Sequence, residues 1–244
     1  SFIEGPWPAL QRAMLWIVSN LDTHPDGLLA YARGRDSGLS NQGWKDSGDS
    51  IFHADGRFPV GPIALVEVQG YVYAALRSMA ELAIRMGDAG EGADWARRAE
   101  RLRGQVERLF WMEDLGFYAI ALDGDGAPCR VCASNPGHLL FSGLPSPARA
   151  RRVADHLLSP GFCSGWGIRT LATGQPRYNP MSYHNGSVWP HDTAICTLGL
   201  SHYGDREGVV RLTAGLFEAA VQLDMRLPEL LCGFPREAGE PPTP

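Results

Sequence analysis

Apolar residues recur at intervals of three or four in several stretches of the chain, the spacing that forms one face of a helix. The first stretch predicts a helix over about 8–21; its apolar positions are Leu10, Met14, Ile17 and Leu21. The second predicts a helix over about 62–86, with Pro62 near its first turn and Gly87 at its end. Further helices are predicted over about 92–110, 136–142, 147–158, 190–203 and 206–224. The pattern is that of an all-α protein with about seven or eight helices.

Two stretches lack the helical period. The segment from Tyr31 to Pro62 is rich in glycine, aromatic and charged residues. At about 30 residues it is far longer than the usual connection, and loops of that length are typically functional or disordered. Residues 115–122 alternate weakly and run into the turn sequence of residues 123–126, which predicts a small hairpin. Helical pairs joined by alternate long loops predict a helical toroid whose loops crowd one end, rather than a parallel α/β sheet.

Composition excludes several classes of protein. The 244 residues are 44% hydrophobic and 20% charged, a balance typical of a soluble globular protein. No apolar run approaches the ~20 residues that span a bilayer, and a net charge of −5 argues against a nucleic-acid partner. The five cysteines are an odd number in a chain large enough to build its own core. They favour free thiols and a cytoplasmic location.

The two ends of the chain carry different expectations. The sequence begins Ser1-Phe2 and has no pattern of a signal peptide. We interpret it as a piece of a longer protein, whose remaining N-terminal part is then a partner of this chain. Residues 237–244 are rich in proline, glycine and glutamate, and we expect them to form a flexible tail.

The first candidate site is the segment Asn41-Gln42-Gly43-Trp44-Lys45-Asp46-Ser47-Gly48-Asp49. It places an indole beside carboxylates in a glycine-rich loop. A carboxyl group that an apolar ring desolvates keeps its proton to higher pH and can protonate a leaving oxygen. The alternative is a solvated turn in which Asp46 or Asp49 caps a helix.

The second candidate is Glu229 in the segment Leu227-Pro228-Glu229-Leu230-Leu231. A carboxylate in an apolar stretch needs a cationic neighbour or a chemical role. Arg226 is the cationic neighbour in the alternative interpretation.

Three further loops combine polar and aromatic side chains in the way that sugar-binding walls do, since sugar rings stack on aromatic faces and hydroxyls need polar partners. They are residues 134–138, 165–170 and 183–192. Taken singly, each is better explained as a turn or cap beside a core aromatic residue. Together they make three polar and aromatic loops in one helical chain, which core packing alone does not explain. Glu67 and Gln69 lie near the start of the second predicted helix, where they could face a site. For Glu67 the helix dipole offers a purely electrostatic alternative.

Metal and cofactor motifs are weak. Cys129 and Cys132 form a Cys-x-x-Cys pair without a second pair, whereas zinc needs about four ligands. No phosphate-binding loop, dinucleotide fingerprint or Gly-x-Ser-x-Gly nucleophile motif is present. We therefore expect neither a metal nor a cofactor.

Six segments in this order resemble the catalytic domain of bacterial amylo-α-1,6-glucosidase-like proteins. These are related to the glucosidase half of glycogen debranching enzyme and, more distantly, to mannosylglycerate hydrolase. The segments are residues 41–49, 61–71, 134–138, 165–170, 183–192 and 227–229. The resemblance covers about 8–236. It implies an (α/α)₆ barrel, a six-hairpin glycosidase fold, and hydrolysis of α-glycosidic bonds with inversion.

The resemblance also implies roles for individual residues. The Gly-x-Trp-x-Asp-like loop makes Asp46 the general acid, with Asp49 in reserve because more distant relatives have their acid at the position of Lys45. The Leu-Pro-Glu-Leu segment makes Glu229 the general base. We assign the sugar-facing wall and its polar lining to Trp44, Gln69, Trp166, Arg169, Tyr183, His184, Asn185 and Trp189.

The number of helices falls short of the twelve in such a barrel. We therefore expect a partial barrel, with residues 1–236 as the C-terminal part of the catalytic domain and the missing helices before Ser1. The expected substrate is an α-linked oligosaccharide. The competing interpretations are a non-catalytic carbohydrate-binding toroid, a hydrolase of another α-linked sugar such as mannosylglycerate, and a sugar epimerase.

Overall fold

The computed structural model describes residues 3–32 and 38–244, which form seven α-helices and five two-residue strands. The helices are α1 Trp7–Thr23, α2 Val66–Arg85, α3 Ala89–Leu109, α4 Asn135–Ser142, α5 Pro147–Leu157, α6 Pro190–His202 and α7 Arg206–Gln222. The strands are β1 Ala64–Leu65, β2 Trp111–Met112, β3 Phe117–Tyr118, β4 Ala121–Leu122 and β5 Pro128–Cys129. The predicted helices all correspond to observed ones, with bounds that differ by a few residues. Residues 33–37 of the predicted long loop lie outside the described part of the chain.

The helices after α1 form three consecutive pairs, α2–α3, α4–α5 and α6–α7, each joined by a short turn. Asp88 and Asp205 start the second helix of two of these pairs, since their side chains accept hydrogen bonds from the backbone N–H groups of Glu91 and Gly208. Helix α2 packs on α3 and α4, and α4 packs on α6. Because a long connection precedes each of α2, α4 and α6, the loops gather at the N-terminal ends of three neighbouring helices.

Helix α2 begins at Val66, four residues later than the Pro62 predicted from the sequence. The preceding residues Ala64 and Leu65 pair instead with Leu122 and Ala121 in an antiparallel sheet ordered β1-β4-β5. The connection between β4 and β5 is the predicted hairpin, in which Asp123 N donates to the oxygen of Ala127. The other strands, β2 and β3, form a separate antiparallel pair. The strand predicted over 115–122 is therefore divided between two sheets.

The main core fills the space between the helices, and a second apolar cluster lies under the loops. Ile51 and Phe52 from the long loop are buried in this second cluster, against Leu65 of β1 and Ile120. Burial of a side chain such as Phe52 contributes about 1.5–3 kcal/mol. These two residues fix the second half of the long loop to the start of α2.

The C-terminal residues return to the rest of the chain. The carbonyl oxygen of Thr243 accepts a 2.8 Å hydrogen bond from the backbone N–H of Cys232. Thr243 belongs to the segment predicted to be a flexible tail, and Cys232 precedes that segment. None of the helices in the described ranges combines the length and apolar character needed to cross a membrane.

Candidate active site

The first turns of α2, α4 and α6 carry polar side chains that are fully buried. Glu67 lies in the first turn of α2, Asn135 and His138 in α4, and Asp192 in the first turn of α6. Polar side chains are rarely buried without a reason, because removing them from water costs free energy unless they are paired. Their position at neighbouring helix ends marks this end of the molecule as the candidate site.

Trp44 of the long loop is the centre of an aromatic cluster at this end. Its ring stacks on His138 at a centroid distance of 5.7 Å and meets Trp189, His184 and His191 edge to face at 5.1–5.9 Å. The structure thus brings the first predicted loop together with the loop of residues 183–192, which is far away in the sequence. Such edge-to-face arrangements are favourable beyond the area they bury.

Tyr183 joins this cluster to the second predicted carboxylate. Its ring lies 4.9 Å from that of Trp189, and its hydroxyl donates a 2.8 Å hydrogen bond to Oε1 of Glu229. The pKa of Tyr183 is raised, first by this hydrogen bond and also by the negative charges of Glu229 and Asp46. Both predicted carboxylates therefore act on the same hydroxyl.

Asp46 and Glu229 are both exposed to solvent. The sequence suggested that the indole of Trp44 desolvates the carboxyl of Asp46, and the structure corrects this expectation. The ring of Trp44 is instead occupied by its contacts with His138 and Trp189. The apolar surroundings of the indole therefore do not extend over the acid.

Asp49, the reserve acid, has a partner of its own. The side-chain amide of Asn185 donates to the backbone oxygen and to Oδ2 of Asp49, both at 3.1 Å. Asn185 is 2% exposed, so this contact ties the two predicted loops together. Asn185 and Asp49 thus have a visible structural role at the site.

His184 is a neutral side chain of the cluster. Burial, followed by the positive charge of Lys45, lowers its pKa to about 4, and its Nδ1 is hydrogen-bonded to Ser47. The ring stacks on Trp189 at 5.0 Å. The indole N–H of Trp189 in turn donates to the oxygen of Tyr183 at 2.8 Å. This chain of contacts fixes the Tyr183 side of the site to the loop that carries Asp46.

Lys45 is a site residue whose placement the sequence interpretation missed. It is 1% exposed, and its Nζ donates to the backbone oxygen of Thr170 at 2.5 Å. Burial lowers its pKa to about 8, while the charges of Asp192 and Glu67 oppose this shift. The signal that could have found it is composition, because Lys45 is the only lysine in the chain.

Glu67 and Asp192 lie on the other side of this ammonium group. Burial raises the pKa of Glu67, and the Asn135 amide, His138 and Lys45 work against that shift. Among the described residues, neither carboxylate oxygen of Glu67 has a hydrogen-bond partner, and Oδ2 of Asp192 has none either. The Asn135 amide lies close enough to Glu67 to favour its charged form, although the two side chains are not hydrogen-bonded.

The donor atoms of His138, Asp192 and Cys196 lie within 4.8 Å of one another, the one such group found in the described ranges. Nε2 of His138 is 2.7 Å from Oδ1 of Asp192, and Nδ1 is hydrogen-bonded to the hydroxyl of Tyr71. Because a carboxylate only accepts, Nε2 carries the proton and Nδ1 accepts from tyrosine. Both ring nitrogens of His138 are therefore engaged in hydrogen bonds within the protein. Burial raises the pKa of the Cys196 thiol well above its usual value.

Six of the eight predicted wall and lining residues are buried in the protein interior: Gln69, Trp166, Arg169, His184, Asn185 and Trp189. Three of them, His184, Asn185 and Trp189, contact the loop of residues 41–49. The other three are Gln69, Arg169 and Trp166. Gln69 is fully buried, and its amide bonds to the backbone of Leu29 and Leu65. Arg169 is 2% exposed and donates to the oxygens of Gly233 and Pro160. All of these contacts are internal, which indicates a structural role for both side chains.

Trp166, the third, belongs to a different apolar cluster from Trp44. It is 4% exposed and packs with Val188, Ala219 and Leu231, while the guanidinium of Arg236 lies 4.4 Å from its ring centroid. Of the predicted wall and lining residues, Trp44 and Tyr183 are the two with appreciable solvent exposure.

Several solved structures of glycosidases have a similar fold. The mannosylglycerate hydrolase of Thermus thermophilus, solved with glucose, is 24% identical, with a TM-score of 0.60 over 72% of this chain and 44% of its own. Neutral trehalase of Saccharomyces cerevisiae is 14% identical, with a TM-score of 0.65 over 79% of this chain and 38% of its own. A rhamnosidase of Bacillus sp. GL1 is 17% identical, with a TM-score of 0.65 over 98% of this chain and 22% of its own. The chain therefore spans less than half the length of these proteins, and the likeness concerns the fold.

A search of curated proteins finds no match. A scan against known protein families matches the mannosylglycerate hydrolase MGH1-like glycoside hydrolase domain over residues 1–227, nearly the whole chain. The polar and aromatic loops at the N-terminal ends of α2, α4 and α6 are consistent with a sugar-binding end of such a domain. The chain belongs to the MGH1-like glycoside hydrolase family.

Proposed function

We infer that this chain is the C-terminal part of an inverting α-glycosidase, with Asp46 as general acid and Glu229 as general base. The observation that carries the proposal is the hydrogen bond from Tyr183 to Glu229, which joins this carboxylate to the aromatic cluster that contains Trp44 of the Asp46 loop. Asp46 protonates the glycosidic oxygen, and Glu229 removes a proton from the water that attacks the opposite face of the sugar. Inversion requires room for that water, with carboxyl groups about 6.5–9.5 Å apart.

The aromatic cluster supplies the surface on which the sugar binds in this mechanism. A sugar ring bound against Trp44 and Tyr183 covers the carboxyl of Asp46 and displaces water from it. Desolvation favours the protonated form of a carboxyl group, which a general acid needs. Tyr183 holds Glu229 by a hydrogen bond, and the neutral His184 adds no positive charge beside the acid.

The proposed fold is part of an (α/α)₆ barrel. The three helix pairs that follow α1 supply about half of such a ring. Residues 1–236 are the proposed catalytic part, and the remaining N-terminal part of the protein supplies the other helices.

The proposed substrates are α-linked glucosides, in the manner of amylo-α-1,6-glucosidases. The second candidate substrate is mannosylglycerate, which the family description favours. Both substrates contain an α-linked hexose, but the hexose is glucose in one and its C2 epimer mannose in the other, and the group beyond the cleaved bond differs as well. Parallel assays with isomaltose-type α-1,6 glucosides, maltose-type α-1,4 glucosides and α-mannosylglycerate separate them.

The stereochemistry of the released sugar tests the mechanism. Proton NMR recorded within minutes of mixing the longer parent protein with an α-linked substrate is expected to show the β-anomer first. An initial α-anomer overturns inversion. Epimerised sugar without hydrolysis would identify an epimerase, and binding without any product would identify a carbohydrate-binding toroid.

A further inference from the structure

Lys45 is unusual for this chain in both type and location. All other residues of the lysine and arginine class are arginines. Several of these arginines form ion pairs with carboxylates at the protein surface. Lysine differs from arginine in being a compact point charge with no planar fork. The single lysine is 1% exposed and lies between Trp44 and Asp46, two residues of the proposed site.

The contacts of Lys45 join its own loop to a segment that is distant in the sequence. Its Nζ donates to the oxygen of Thr170, which is 125 positions away in the sequence, and lies 5.1 Å from the ring centroid of Trp44. Ser50 Oγ donates to the backbone oxygen of Lys45 at 2.8 Å and thereby fixes the main chain at this point. Lys45 is buried, whereas the next residue, Asp46, is exposed.

The surroundings of the ammonium group are mostly acidic or neutral. Asp192 and Cys196 face it from α6, Glu67 from α2, and His184 from the loop before α6. Three carboxylate oxygens of Asp192 and Glu67 are buried without a hydrogen bond among the described residues. A buried charge is tolerated when an opposite charge accompanies it. Gly43 allows the loop to approach Glu67 of α2 closely, because a Cβ at this position would lie only 2.8 Å from Oε1 of Glu67.

We propose that Lys45 is a positioning residue for the acid loop, residues 44–46. Its buried ammonium group is held by Thr170 and faces Asp192 and Glu67, and it fixes the loop so that Trp44 and Asp46 are presented to the sugar. This proposal rests on the proposed function, since it assumes that Asp46 is the acid. It assigns Lys45 no contact with substrate.

The single lysine allows a direct physical test that does not depend on activity. Protein of this sequence labelled with [¹³C]lysine, with a lysine-free tag, gives one Cε resonance to follow by NMR as pH is varied. A midpoint near the value of about 8 is expected for the wild-type protein. Glu67→Gln and Asp192→Asn are each expected to lower it, because each removes a negative charge that favours the ammonium form.

The control for this titration is Asp94→Asn, which alters an exposed acid paired with Arg97 on α3. It is expected to leave the midpoint unchanged. A wild-type midpoint near 10.5, unaffected by the two buried-acid variants, overturns the proposed placement of Lys45.

The kinetic test uses the longer parent protein and separates positioning from simple folding. Lys45→Met is expected to lower kcat by about 100-fold, the order of loss that misplacing a reacting group produces. Arg211→Met is the matched control. Arg211 lies on α7 and, like Lys45, donates to a backbone oxygen, in this case that of Leu158. It is expected to keep the wild-type kcat.

The double variant Lys45→Met/Asp192→Asn covers the case in which the single variant fails to fold. Neutralising two opposite buried charges that influence each other is tolerated better than neutralising one of them. If the double variant folds and retains the loss in kcat, the positioning role is supported. Wild-type kcat in the folded double variant overturns it and leaves Lys45 as a counter-ion only. Full activity of Asp46→Asn would instead overturn the proposed acid, while the NMR result would stand.

Discussion

The hydroxyl of Tyr183 donates a 2.8 Å hydrogen bond to Oε1 of Glu229, 46 residues further along the chain. Tyr183 lies in the aromatic cluster around Trp44 and Trp189, and Glu229 follows α7. The bond therefore connects the aromatic surface of the site to the proposed base. It also places this carboxylate where the charge of Asp46 is felt by the same hydroxyl.

Removal of the two proposed catalytic carboxylates is the first prediction. Asp46→Asn and Glu229→Gln are each expected to lower kcat by about 100-fold or more, because each removes a proton-transfer group. Both side chains are exposed, so thermal unfolding midpoints are expected to stay close to that of the wild type. Asp49→Asn is the matched control and is expected to retain most of the activity. A reversed order, with Asp49→Asn inactive and Asp46→Asn active, would move the acid to Asp49.

The hydrogen bond from Tyr183 gives the second prediction. Tyr183→Phe removes the donor and keeps the ring, so Glu229 loses a partner that orients it. A severalfold fall in kcat is expected, since an exposed bond of this kind is weak. Binding of a non-hydrolysed sugar, followed by calorimetry, is expected to change little because the ring remains. An unchanged kcat would show that Glu229 needs no orientation by Tyr183.

The third prediction concerns the acid stability of the fold. The pKa of His184 is lowered from 6.5 to about 4 in the folded protein. Between these values the unfolded chain binds a proton that the folded chain does not, so stability from this group falls as pH drops from 6.5 towards 4. His184→Asn is expected to remove this pH-dependent contribution to the free energy of unfolding. Its unfolding midpoint, followed by circular dichroism, should depend less on pH in this window than that of the wild type; parallel curves would contradict the prediction.

The fourth prediction concerns the close approach of Gly43 to α2. A Cβ at residue 43 would lie 2.3 Å from Cδ1 of Leu65 and 2.8 Å from Glu67. Gly43→Ala is therefore expected to destabilise the fold by about 1–3 kcal/mol. Gly48→Ala, whose Cβ would lie 3.7 Å from Ser40, is the control and should be nearly neutral. Urea unfolding of the two variants measures the difference, and equal midpoints would contradict it.

The fifth prediction distinguishes a structural from a substrate-binding role for Gln69. Its side chain makes three hydrogen bonds to backbone groups of Leu29 and Leu65. Gln69→Leu leaves those groups without partners and is expected to lower stability by about 2–3 kcal/mol. The KM of the folded fraction is expected to match that of the wild type. Gln222→Leu at the end of α7 is the surface control; a raised KM in Gln69→Leu alone would return Gln69 to the sugar-binding surface.

Local sequence determined the helices of this protein and the loops between them. The spacing of apolar residues predicted each observed helix, because one face of each must pack on its neighbours. The glycine-rich turn after residue 122 predicted the β4–β5 hairpin in the same way. The start of α2 was misplaced by four residues, since the pairing of Ala64 with Leu122 depends on a segment that is distant in sequence.

The sequence also located the site loops, but only the tertiary structure decided what each side chain does. Trp44 and Trp166 occupy similar glycine-flanked positions in the sequence, yet one lies in the aromatic cluster and the other in a separate core. Lys45 is recognisable in the sequence as the single lysine, but its burial near the acids of α2 and α6 is seen only in the fold. Burial and charge at a position depend on elements brought together by folding, and no local pattern encodes them.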